Sequence, residues 1–181
     1  MKKLSIGTAL TLAFAASAAF ADNEDKFRIR LIGYEEVPVV STAASGRFKA
    51  EISRDEQFID YKLSYSGLQG TVTQSHIHLG QRSVNGGISI WLCQTAGTPA
   101  PASVAALTPF CPQSGTVTGT VSAANVLGPG GAQQVAPGEL AEVIAAIRAG
   151  VAYANVHTSL SAGGEIRGQL GGGDNHHDHD D

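Results

Sequence analysis

The chain has 181 residues, of which 43% are hydrophobic and 15% charged, and its formal net charge is −4. That length suits one domain with a real core. The weak overall charge gives no basic footprint for nucleic acid and no polybasic membrane patch.

The chain opens on a basic "MKK", followed by the apolar "LSIGTALTLAFAASAAF" and a small-x-small "AFA" at Ala19–Ala21. This pattern predicts a Sec-type signal peptide over 1–21, cleaved after Ala21. The alternative is a retained anchor, which the Ala/Ser/Thr-rich run and the polar "DNEDK" after it disfavour. Cleavage leaves 160 residues (181 less 21) with ten basic and sixteen acidic side chains, a balance of −6. Four of those acids lie in the last eight residues, so the body stands near −2. The expected location is the periplasm or the medium, with no membrane insertion after cleavage.

In chain order, "FRIRLIGY", "GRFKAEIS", "FIDYKLSYSG", "TVTQSHIHLG", "GISIWLC", "SGTVTGTVS", "VAYANVHTS" and "GEIRGQL" all read as strands. Most alternate apolar and polar residues with period two, separated by Gly, Ser, Pro and Asn. The predicted fold class is all-β, an antiparallel sandwich or barrel, in one domain over 22–170. Asn85-Gly86 predicts a tight type I′ hairpin between the fourth and fifth strands. One segment departs from the pattern. "PGELAEVIAAIRAG" places Leu140, Val143, Ile144 and Ile147 on one helical face, with Arg148 near the C-terminal end and Gly150 as cap. It predicts a single amphipathic helix.

Cys93 and Cys111 are the two cysteines. In an exported chain an even pair reads as a disulfide; copper-ligating thiols are the alternative. The ending 171–181, "GGGDNHHDHDD", has no apolar residue to bury and is expected to be disordered. Its His176, His177 and His179 are weak candidate ligands for Zn, Cu or Ni, or simply part of a solvated tail.

"GYEEVPVVSTAASGRF", "HIHLGQRSVNGGISIWLC", the Cys111-Pro112 pair, "GTVTGTVSAANV" and "AIRAGVAYANVHTSLSAGGEIRGQL" together resemble the CHRD domain, the module first named from chordin. The likeness runs from about Leu31 to Leu170 in the family's order. It implies an exported β-sandwich of immunoglobulin-like type and brings no defined chemical activity. Chordin's role as a growth-factor antagonist does not carry over to a stand-alone chain.

His76 and His78 stand at alternate strand positions and so share a face with Gln74. Tyr153, Asn155 and His157 share a face on a later strand. If the two strands pair, three imidazoles converge, a donor set suited to copper or zinc with an open fourth position. A second likeness is to copper–zinc superoxide dismutases, whose copper-site elements His76, His78, His157 and Arg167 resemble. The body has no bridging histidine and no zinc-loop cluster, which departs from that pattern. The bland reading makes the three histidines hydrogen-bonded structural groups. Arg167 is an anion guide, or pairs with Glu165, Glu35 or Glu36; Trp91 is a packing residue.

No G-x-S-x-G, H-E-x-x-H, Walker or dinucleotide motif occurs, and no catalytic residue is assigned. The expected function is a non-enzymatic exported binding module, with copper or zinc as ligand. The alternatives are a structural or protein-interaction module with an envelope or extracellular partner, and a dismutase-like copper redox protein.

Overall fold

In a computed structural model the described residues are 25–171. The signal segment, and His176, His177 and His179 of the tail, lie outside them. Eight strands form one antiparallel ladder: β1 Lys26–Ile32, β2 Ser45–Ile52, β3 Ile59–Ser66, β4 Val72–Leu79, β5 Gly87–Cys93, β6 Gly115–Val121, β7 Ala152–Thr158 and β8 Ile166–Leu170. Their order across the sheet is β5-β4-β7-β8-β1-β2-β3-β6. The sheet curls until its outer strands face one another, a nearly closed sandwich or barrel. Tyr61 on β3 donates its hydroxyl to the Leu92 carbonyl on β5 at 2.6 Å, and an isolated bridge joins Ile90 to Val126. The all-β class predicted by the period-two patterning is the one found.

Alternation decides which side chains fill the interior. Leu31, Phe48, Leu63, Ile77, Ile90 and Ile166 point inward and are fully buried. Burial of each such side chain contributes about 1.5–3 kcal/mol. The single helix, α1 Leu140–Arg148, buries the predicted stripe of Leu140, Val143, Ile144 and Ile147. It ends at Arg148; the Gly150 N–H donates to the Ile147 carbonyl at 3.0 Å, and the left-handed φ of 71° at Gly150 turns the chain out of the helix. Arg148 then bridges Asp25 at 2.6 Å and Glu56 at 2.8 Å.

The tight Asn85-Gly86 turn does not form. β4 and β5 are joined by a seven-residue loop, 80–86, and its left-handed residue is Ser83 at φ 64°. Tertiary contacts outweigh the local turn preference. Asn85 donates its amide to the Val37 carbonyl at 2.9 Å, and the Gly86 N–H donates to the Tyr153 hydroxyl at 3.2 Å. Gly86 is still required, because a Cβ there would strike the Leu79 carbonyl.

Cys93 and Cys111 are bonded to each other, as expected of an exported pair. The crosslink spans 18 positions and ties β5 to the segment leading into β6. In the loop-entropy account a loop of that length contributes about 3 kcal/mol. The Cys93→Ser/Cys111→Ser chain is expected to lose about that much stability in urea unfolding against the oxidised wild type. Superimposable unfolding curves would show that the loop is ordered without the bond.

Candidate metal centre

The outward face of β4, β7 and β8 is polar, yet it is buried. Three covers lie over it: the 33–44 segment after β1, the 80–86 loop, and the 159–164 loop between β7 and β8. His76, His78 and His157 are 0, 7 and 5% exposed beneath them. Asn155 and Arg167 are each 1% exposed.

Register places the histidines. His76 is opposite Asn155, His78 opposite Tyr153, and His157 opposite Gln74. His157 is therefore a diagonal rather than a direct neighbour of His76, and the rings lean together to meet. Irregularities on both sides of β4, between Val72 and Gln74 and around His76–His78, break the flat ladder. Such bulges bend a strand and re-aim its side chains. Nδ1 of His76 comes to 3.1 Å from Nε2 of His157, and ligand nitrogens of all three rings lie within 4.8 Å of one another.

Two backbone carbonyls fix the tautomers. Nδ1 of His78 lies 3.0 Å from the Gly86 carbonyl, and Nδ1 of His157 lies 2.9 Å from the Ala162 carbonyl. A carbonyl only accepts, so both Nδ1 atoms carry the proton and both Nε2 atoms carry a lone pair. Nε2 of His78 is buried without a partner. Nε2 of His157 faces Nδ1 of His76 and also Oδ1 of Asn155, the latter at 2.9 Å. A cation held by Nδ1 of His76 and Nε2 of His78 and His157 would satisfy those three lone pairs, while Nε2 of His76 stays buried without a partner. Without one, His76 must donate to His157 and the Asn155 amide must turn its NH₂ inward. Nitrogens bonded to one zinc ion at 2.0–2.1 Å stand about 3.3–3.6 Å apart. The His76–His157 pair, at 3.1 Å, would open slightly to reach that spacing, and a pair at the 4.8 Å limit would close by about 1.2–1.5 Å.

The surroundings are equally ordered. His78 stacks on Tyr153 with ring centroids 4.7 Å apart, and Arg167 lies over the same ring at 3.3 Å. The Arg167 guanidinium also donates to the Gln81 and Val84 carbonyls at 3.1 and 3.0 Å. Trp91 packs its ring against His76 at 4.4 Å, so the packing residue is also a wall of the site. Glu165 goes elsewhere. It precedes β8 and accepts from the Gln69 N–H at 2.8 Å and from the Thr158 and Thr42 hydroxyls at 2.8 and 3.0 Å. Of the carboxylates offered to Arg167, Glu36 and Glu35 are the two whose charge acts on it, and of these Glu36 is buried. Glu35 instead takes Arg82 at 2.7 Å on the loop surface.

Glu36, offered by the sequence as a partner of Arg167, and Asn155, on the face of His157, complete the covered site. Glu36 is 3% exposed, and a Cβ at Gly164 would collide with both its Oε1 and the Asn155 amide. A glycine at 164 is therefore what lets the carboxyl approach Asn155. Burial pushes the Glu36 carboxyl up to about 7, against the pull of Arg167. Burial acts oppositely on the histidines. His76 is pushed down to about 2 and His78 to about 4, and His157 is also lowered. A site that disfavours both imidazolium and carboxylate is held neutral by desolvation.

A model of the CHRD domain matches residues 27–170, and the chain belongs to that family. No curated protein and no solved structure matches it. Among the described residues no helix is long and apolar enough to cross a membrane. The disulfide suits an oxidising compartment.

These shifts set a pH dependence for the metal-free protein. The histidines have folded pKa values below the unfolded value near 6.5, so their stabilisation is complete above that pH and is lost as pH falls. Glu36 has a raised folded value, so its penalty is absent below about 4.5 and grows as pH rises to about 7. Three groups outweigh one. Between pH 7 and pH 5, in chelator, stability is expected to fall by a few kcal/mol, at roughly 1.4 kcal/mol per pH unit for each net proton. Urea unfolding at the two pH values checks this, and the His76→Gln/His78→Gln/His157→Gln chain should lose this fall and keep only the smaller, opposite trend of Glu36. An unchanged slope would place its source in other groups.

Proposed function

We propose that this protein is an exported, non-enzymatic CHRD-type module that binds one transition-metal ion, copper or zinc, through Nδ1 of His76 and Nε2 of His78 and His157. The observation that carries the reading is the buried, unpartnered Nε2 of His78, on a ring whose other nitrogen is committed to the Gly86 carbonyl. Metal-ligating histidines are commonly held in this way, with the second ring nitrogen donating to a carbonyl that sets tautomer and orientation. Imidazole donors suit copper and zinc over calcium or magnesium. Burial supports retention, since protons compete poorly for rings that resist protonation. The tail histidines His176, His177 and His179 would serve as an accessory collector of low selectivity.

The test uses the chain ending at Gly171, so that the tail contributes nothing. Calorimetric titration with Cu²⁺ and Zn²⁺ is expected to give one ion per chain, and metal in hundredfold excess over its dissociation constant should raise stability by about 2.7 kcal/mol. His78→Gln and His157→Gln should each weaken binding by roughly 100-fold or more, beyond the 10–100-fold typical of losing a supporting hydrogen bond. No stoichiometric uptake, or unchanged affinity in both variants, would overturn the proposal. The result would then favour a structural or interaction module whose histidines affect folding alone. A dismutase-type copper activity is the more demanding reading. The described residues hold only these three histidines, so a superoxide assay on copper-loaded protein is expected to show no more than free copper does.

A further inference from the structure

Seven of the ten basic residues that follow Ala21 lie between Lys26 and Lys62, and the fold gathers five of them on one surface. Arg28 and Arg30 of β1, Arg47 and Lys49 of β2, and Lys62 of β3 all point outward and are exposed. They are five of the ten Lys and Arg residues that follow Ala21. Register sets them in two rows, Arg28 opposite Lys49 opposite Lys62, and Arg30 opposite Arg47. Neighbouring strands lie about 4.8 Å apart and alternate residues about 7 Å apart along a strand. The five charges therefore form a compact grid. The next row is acidic on balance, with Lys26 on Glu51 at 3.4 Å and Asp60 taking the Thr120 hydroxyl, and it borders the grid at Lys49 and Lys62. Among the described residues, none of the five has a carboxylate partner.

This arrangement works against the fold. Like charges directly opposite on a sheet face are destabilising, and here three such pairs occur on adjacent strands. Outward positions beside the grid are Ser45, Ser64, Thr116 and Thr118, and no aromatic side chain stands outward on β1, β2, β3 or β6. The face thus lacks the stacking platform that single-stranded nucleic acids use. It offers an array of cations whose backbone positions are fixed by the sheet before contact with a surface of anions.

We propose that the outward face of β1, β2 and β3 docks on an anionic phospholipid bilayer through Arg28, Arg30, Arg47, Lys49 and Lys62. The attraction is peripheral and electrostatic, of the kind each basic residue near an anionic leaflet supplies. It is independent of the histidine cluster, which lies on the outward face of the other half of the sheet.

The test is co-sedimentation of the full mature chain with phosphatidylglycerol/phosphatidylcholine vesicles and with phosphatidylcholine vesicles, at low and physiological salt. Binding to the anionic vesicles alone, weakening as salt rises, is the expected result. Arg30→Glu/Lys49→Glu and Arg47→Glu/Lys62→Glu should each reduce the bound fraction at least tenfold. Their melting temperatures should not fall, because each change relieves like-charge pairs. Equal binding to both vesicles, or unchanged binding by the variants, would overturn the proposal. So would retention of inorganic polyphosphate by a chain that ignores the vesicles, which would make the ligand a free polyanion. If only the chain truncated after Gly171 binds, the aspartate-rich tail is the occupant and the bilayer is not.

Discussion

The site depends on two hydrogen bonds, from His78 to the Gly86 carbonyl and from His157 to the Ala162 carbonyl. Each comes from a loop that covers the outward face of β4 and β7. Each spends one ring nitrogen on the protein and leaves the other facing the cluster. The loops therefore exclude water and orient the rings in the same contact. The unusual irregularity of the β4–β5 connection follows from this. A two-residue hairpin would have left Gly86 unable to reach His78 and Tyr153, and Asn85 unable to reach Val37.

The same sheet presents two polar outward faces under opposite conditions. On the β4-β7-β8 half, imidazoles, an arginine and a carboxyl are covered, and their protonation is governed by desolvation. On the β1-β2-β3 half, five cations stand in solvent, where their mutual repulsion is screened and tolerated. Inward positions are apolar on both halves. The pleat keeps interior packing separate from outward chemistry, so loops over one half can change without disturbing the core.

Much of this architecture was legible in the sequence. Alternation in "GRFKAEIS" and "VAYANVHTS" announced the strands, and 3.6-residue spacing announced the helix, because each pattern reflects one buried face. The His76–His78 pair was legible for the same reason. What alternation cannot supply is pairing, and pairing makes the rest. Nothing local says that His157 lies diagonally from His76, that Gly164 leaves room for Glu36, or that Arg28, Lys49 and Lys62 share one row. The Asn85-Gly86 turn was misread because the local preference is smaller than the tertiary contacts that override it. The charge balance misled in another way: a total near neutrality says nothing of where pairing sets cations side by side.

The neutral state of the covered site bears on what it can receive. Burial opposes an imidazolium at His76 or His78 and a carboxylate at Glu36. Arg167 is then the fixed charge within the cluster, shared between the Tyr153 ring and two loop carbonyls. An anion entering beside Arg167 would meet the raised Glu36 carboxyl and the lone pairs of three rings. A cation would meet those lone pairs as ligands, and its field would draw Glu36 toward its ionised form, cancelling part of the added charge. Asn155 stands between the two, with its carbonyl oxygen at His157 and its amide nitrogen toward Glu36. The same orientation points the amide nitrogen at the Gly163 carbonyl.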